Sequence, residues 1–73
     1  MPTPDPRKKF GNCVRKFRRE RELSQEKLAE LADLHRNYVG RVERGEQNIA
    51  LLNIVALAHA LKVRPAKLME TLS

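Results

Sequence analysis

His35, Arg36, Asn37 and Arg41 cluster between residues 35 and 41, and their side chains are the ones most suited to read another molecule. A guanidinium presents a rigid fork of donors that pairs bidentately with the N7 and O6 atoms of guanine, and a carboxamide matches adenine N6 and N7 in the same way. Two guanidiniums, a carboxamide and an imidazole so close together therefore suit the edges of nucleobases. Catalytic chemistry has no comparable footing. No Ser/His/Asp arrangement, carboxylate pair or Gly-rich phosphate loop is present. His35, His59 and Cys13 match no zinc spacing. The expectation is a chain that is not an enzyme and carries neither metal nor cofactor.

The elements that hold these residues read as helices throughout, since no run of alternating β-branched residues marks a strand. Pro2, Pro4 and Pro6 predict a flexible arm over residues 1–6, with the folded domain over 7–73. A first helix over about 6–21 carries Phe10, Cys13, Val14 and Phe17 on one stripe, with Arg and Lys on its other faces. Cys13 on that stripe reads as a core residue. A second helix starts at Ser24, whose hydroxyl can cap it, with Leu28, Leu31 and Ala32 as the buried stripe, and ends near Asp33. A third runs from about His35 to Gly45 with only Val39 and Val42, beside Tyr38, on its apolar side.

The fourth helix, over about 51–61, is apolar nearly all round. Leu51, Ile54, Leu57, Ala58 and Leu61 form one stripe; Leu52, Val55, Ala56 and His59 form another. A domain this small covers one of them with its own core, so the second predicts a symmetric partner. A fifth helix starts at Pro65 and offers Leu68, Met69 and Leu72.

Length and charge agree with a binding module. The chain has 73 residues, one Cys and no Trp, so no internal disulfide supports it and no room exists for a large substrate cavity. Its formal net charge is +6. The excess lies in residues 1–21, where Arg7, Lys8, Lys9, Arg15, Lys16, Arg18, Arg19 and Arg21 face only Asp5 and Glu20. Such a face predicts a polyanion, nucleic acid before an anionic membrane. No apolar run suits a membrane span or a signal peptide, and the cytoplasm is the expected compartment.

The pair of short helices at 24–32 and 35–44, joined by a tight turn, is the helix-turn-helix unit, whose second helix enters the major groove. Leu23-Ser24-Gln25-Glu26-Lys27-Leu28-Ala29, Leu34-His35-Arg36-Asn37-Tyr38-Val39, Val42-Glu43-Arg44-Gly45 and Asn48-Ile49 resemble the phage-repressor-like (XRE-type) helix-turn-helix family, over about residues 9–70. Arg36 to Val39, followed by Glu43-Arg44-Gly45 and Asn48, particularly resembles the controller proteins of restriction–modification systems, a stretch that many general regulators share.

The resemblance implies an all-α, five-helix lambda-repressor-like domain that binds a pseudo-palindromic operator in double-stranded DNA as a homodimer and regulates transcription. It implies base contacts from His35, Arg36, Asn37 and Arg41, and phosphate contacts from Ser24, Gln25, Tyr38, Arg44 and Asn48. It also implies a structural ion pair between Arg18 and Glu43. The dimer interface is expected at Leu52, Val55, Ala56, His59 and Met69. Arg41 and Arg44 are open between plain surface charges and contacts to phosphate or base. Tyr38 is open between a DNA contact and half-burial against the second helix. Gly40 is open between close approach to DNA and a tolerated flaw. Departures from the family pattern are Asp33 and Lys62 where Gly is common, and Gly40 inside the third helix. Two other readings stand beside this one: the same fold binding a protein, as an antitoxin-like partner does, and a basic first helix lying on a membrane. No small-molecule substrate is expected.

Overall fold

Asp5 decides where the first helix begins. Its carboxylate accepts the Arg7 backbone N–H at 2.9 Å and pairs with the Arg7 guanidinium at 2.8 Å. Pro6, which needs no hydrogen-bond acceptor, takes the first helical position. In the computed structural model, which describes residues 5–72, the chain runs α1 (Pro6–Glu20), α2 (Gln25–Ala32), α3 (Arg36–Glu43), α4 (Leu51–Ala60), α5 (Pro65–Met69) and a closing 3₁₀ turn (Glu70–Leu72). Of the expected arm, residues 1–4 lie outside the described residues, and residues 5 and 6 are the cap and first residue of α1. α3 packs on both α1 and α2; α4 packs on α2 and α5.

α1, α2, α3 and α4 end the same way. Glu22, Asp33, Gly45 and Lys62 each adopt a left-handed conformation, with φ of 56°, 57°, 75° and 58°. Each donates its N–H to a carbonyl three residues back. The next residue reaches five back: Leu23 to Arg18, Leu34 to Ala29, Glu46 to Arg41 and Val63 to Ala58, at 3.1, 2.8, 2.9 and 3.0 Å. This double closure satisfies carbonyls that a helix end leaves orphaned. Leu23, Leu34 and Val63 then tuck against the core, and that contact helps fix the exit direction of the chain. Asp33 turns the chain between α2 and α3 as its residue type suggests. Lys62 adopts the same geometry although nothing in its side chain favours it.

The core is Phe10, Cys13 and Val14 from α1, Leu28, Ala29 and Ala32 from α2, Val39 and Val42 from α3, Ile54, Leu57 and Ala58 from α4, and Leu61 and Leu68 beyond it. Two expected core positions are corrected. Leu31 is 51% exposed, and Ala29 takes its place. The buried stripe of α2 is centred between Leu28, Ala29 and Ala32, and Leu31 lies roughly 100° round from it. Leu51 is 73% exposed, because it begins α4 at the flank of the buried stripe. Phe10, Cys13 and Val14 are all buried, so the apolar stripe of α1 is spent on the core rather than left for a membrane. Burial pushes the Cys13 thiol up, which keeps it an unreactive core group. No helix among the described residues is long and apolar enough to cross a membrane.

At Gly11 the backbones of α1 and α3 meet directly. A Cβ on Gly11 would strike the carbonyl oxygens of Val42 and Glu43. One on Gly45 would strike Lys8. This close approach brings the Glu43 carboxylate, with no exposed side-chain surface, under α1. Arg18 grips it bidentately, Nε to Oε2 at 2.6 Å and Nη2 to Oε1 at 3.0 Å, and spends its third nitrogen on the Leu23 carbonyl at 2.8 Å. Arg15 Nε adds a longer contact at 3.4 Å, and Gln25 Nε2 donates to Oε1 at 3.0 Å. Burial alone would push this carboxyl up. The hydrogen bonds from Arg18 and Gln25, with the Arg18 charge, outweigh it and hold the carboxyl below its ordinary value of 4.5.

Three outcomes follow from these contacts. Gly11→Ala destabilises the domain by about 3 kcal/mol, because the obstacle is backbone and α1 must lift off α3. Lys62→Gly stabilises it by about 0.5–1 kcal/mol through relief of the left-handed strain, raising the melting temperature by a few degrees. The Glu43 contribution is complete above the ordinary glutamate pKa and is lost as the pH falls through the lowered folded value. Urea titrations from neutral to acid pH therefore show an acid limb in the native chain. Glu43→Gln starts about 3–5 kcal/mol lower and shows a flatter limb.

Candidate nucleic-acid interface

The outward side of α3 follows from helical geometry. Arg36, Asn37, Gly40, Arg41 and Arg44 span an arc of roughly 140°, and Val39, Val42 and Glu43 occupy the opposite, buried side. Gln25 and Glu26, in the first turn of α2, form the other wall of an open groove whose lining is those residues of α3. Gly40 is its floor. A Cβ there would stand 3.1 Å from Arg44 Nη1 and 3.5 Å from Gln25 Oε1, so the missing side chain keeps the groove open.

The cations of this groove rest in exchangeable contacts. Arg36 Nη1 lies 3.3 Å from Glu26 Oε2, Arg41 Nε donates to Gln47 Oε1 at 3.3 Å, and Arg44 Nε meets Glu46 Oε2 at 3.1 Å. Both partners of the Arg36–Glu26 pair are mostly solvent-exposed. Such pairs are worth about 0–1 kcal/mol, so an incoming polyanion displaces them at little cost.

Other expected site residues have structural tasks. Ser24 caps α2, its hydroxyl oxygen accepting the Lys27 N–H at 2.9 Å. His35 stands one position before α3 rather than inside it, and its Nδ1 accepts the Asn37 N–H at 3.1 Å. The Gln25 amide already serves Glu43. Because Nε2 faces the carboxylate, Gln25 Oε1 is turned toward Gly40 and the groove. Tyr38 is half-buried, and its hydroxyl accepts from Asn53 Nδ2 of α4 at 2.9 Å. Asn48 is exposed but apart, in a second groove with Pro6, Arg7, Phe10 and Met69. So the structure brings Gln25, Arg36, Asn37, Arg41 and Arg44 together, keeps His35 beside them, and leaves Asn48 elsewhere.

Arg15, Glu26, Gln47 and Asn53 hold contacts here that nothing in the sequence assigned to them. Arg15 had a signal, standing three residues before Arg18 on the same side of α1. The others are joined to their partners only by the fold. Among the expected interface residues, Leu52 is 80% exposed, Val55 43% and Met69 40%. His59 is exposed and Ala56 half-covered. Leu31 shares a groove with Ala56, His59 and Ala60, so the exposed apolar surface reaches α2 as well.

A helix-turn-helix family model, HTH_3, matches residues 14–68. The control protein C.SmaI of Serratia marcescens is 48% identical over 56 residues, which cover 77% of this chain and 67% of that protein. The control protein C.BamHI of Bacillus amyloliquefaciens is 45% identical over 62 residues, covering 84% and 76%. The crystal structure of the restriction-modification controller protein C.AhdI from Aeromonas hydrophila matches with a TM-score of 0.84 at 50% identity, over 85% of this chain and 94% of that one. With the paired short helices, the tight turn at Asp33 and a cationic outer side of α3 already in place, these matches carry one conclusion: the chain belongs to the XRE-type helix-turn-helix (HTH_3) family of DNA-binding transcription regulators.

Proposed function

We propose that the chain binds a pseudo-palindromic operator as a homodimer in the cytoplasm, with α3 in the major groove, and that it controls genes of a restriction–modification system. One observation carries the DNA-binding geometry: Arg36, Asn37, Arg41 and Arg44 share an exposed side of α3 with no apolar residue among them. The setting rests on the relatives, which are named as control proteins. In this reading Arg36 and Asn37 read bases, with His35 and Arg41 on either side of them. Arg44 and the first turn of α2, Ser24 and Gln25, hold phosphate. Gln25 does so with the amide hydrogen that Glu43 leaves free, or with its backbone N–H at the helix start. Tyr38 and Asn48 add contacts at the margins.

The dimer rests on Leu52, Val55 and Met69, apolar side chains that a single copy leaves in water. Ala56 and His59 complete that surface. A two-fold axis near α4 and α5 sets the two α3 helices about 34 Å apart, one turn of DNA.

Arg36→Ala costs about 1–3 kcal/mol on the operator and relaxes choice at one base pair per half-site, whereas Arg44→Ala weakens operator and random DNA alike. Gel-shift titrations on both DNAs separate the two, and equal losses for Arg36→Ala on both overturn the base-reading role. The native chain sediments as a dimer at micromolar concentration, and Leu52→Glu turns it into a monomer with an unchanged helical spectrum. Selection from a random DNA pool is expected to return a pseudo-palindrome, and recovery of unrelated sequences overturns the operator.

A further inference from the structure

His35 caps α3 through a contact that restricts its own chemistry. Its Nδ1 accepts the backbone N–H of Asn37 at 3.1 Å, with the His35 backbone extended at φ −77° and ψ 141° as a cap requires. A backbone amide only donates, so the ring nitrogen facing it holds a lone pair and no proton. A neutral imidazole has one donor nitrogen and one acceptor nitrogen. With Nδ1 committed as the acceptor, the proton sits on Nε2. The side chain is exposed, and the cap is its one hydrogen bond among the described residues. Its surroundings are Glu26, Ala29 and Glu30 of α2, Leu34 before it and Arg36 after it.

We infer that the cap makes His35 a donor-only reader: it fixes the Nε2–H tautomer, and that N–H selects a hydrogen-bond acceptor on a base edge and rejects a donor. The acceptors available in the major groove are N7 and O6 of guanine, N7 of adenine and O4 of thymine. The inference rests on the proposed seating of α3 in the major groove. A Ser at this position would also cap α3, but its O–H donor stays close to the backbone, well short of where the imidazole carries Nε2–H. The residue thus couples two tasks that a substitution can separate.

The test has three parts on the full chain. Nitrogen NMR of the His35 imidazole in the free protein at about pH 8 is expected to show the proton on Nε2. A proton on Nδ1, or fast exchange between the two forms, overturns the inference whatever DNA does. Selection from a random pool is then compared for the native chain and His35→Ser, which keeps the melting temperature within a few degrees. One position per half-site is expected to lose its preference, with a drop in affinity of about 3- to 10-fold, while the preference assigned to Arg36 stays. If His35→Ser erases no preference, the inference fails and the wider reading stands; if the native chain shows no preference anywhere, the wider reading fails as well.

At the affected base pair, each major-groove acceptor is disabled in turn, purine N7 by replacement with C–H and guanine O6 or thymine O4 by replacement with sulfur, a much weaker acceptor. Loss of one of them is expected to weaken the native chain by the same factor and to leave His35→Ser unchanged. The same pattern on removing the exocyclic amino group instead shows that His35 accepts, and overturns the inference.

Discussion

A buried carboxylate organises this domain. Glu43 is the last residue of α3, where a negative charge opposes the helix dipole, and it has no exposed side-chain surface. Left unpaired, such a charge would cost several kcal/mol. Arg18 and Arg15 come to it from α1 and Gln25 from α2, so one carboxylate holds three helices to a common register. A hydrophobic cluster of equal volume can match an ion pair in stability, but apolar contacts do not orient hydrogen bonds. Here the same carboxylate that ties α3 to α1 also sets which way the Gln25 amide points, and Gln25 forms part of the wall of the groove beside α3. The glycines make the arrangement possible, since Gly11 lets the α1 backbone reach the Val42 and Glu43 carbonyls.

Around that anchor the domain divides its surfaces sharply. α3 contributes two fully covered valines to the core and turns a polar, largely cationic arc outward. Its own packing could not hold it, since its helix is short and a short helix draws its stability from tertiary contacts. α1 and α2 supply those contacts. α4 is the opposite case: Ile54, Leu57 and Ala58 are buried, while Leu51, Leu52 and Val55 stand in water. The cations on α3 are parked on exposed acids and an amide, contacts weak enough to be exchanged when a stronger anion arrives.

Helix ends are handled with uneven residue choices. Only one of the four left-handed closures uses Gly. The apolar residue that follows each of the other three, Leu23, Leu34 or Val63, packs on the core, and this local gain offsets the strain at Glu22, Asp33 and Lys62. Asp5 and Ser24 begin α1 and α2 as ordinary caps, while α4 and α5 begin at Ala50 and Arg64 with no side-chain cap. At α3 the cap is a histidine, so an imidazole that could have been free to choose its tautomer is committed by a backbone amide.

Five helices, the cap at Ser24, the turn at Asp33, the thin apolar side of α3 and the surplus apolar side of α4 were all legible in the sequence. Each is written in the periodicity or residue type of a stretch of chain only a few turns long. The Arg18–Glu43 pairing was legible too, through the resemblance and because an acid on an otherwise basic helix requires a partner. What the chain alone left undecided depends on neighbours distant in sequence. Leu31 and Leu51 have the same composition signal as buried leucines, and only the angles at which α2 and α4 meet the other helices leave them outside. Gln25 reads as a free amide until α3 brings Glu43 beneath it. His35 reads as a helical donor until the chain's extended entry into α3 turns its Nδ1 onto Asn37. Periodicity records which side of a helix is apolar; which part of that side is covered, and which polar atoms are already spoken for, is settled by packing between helices.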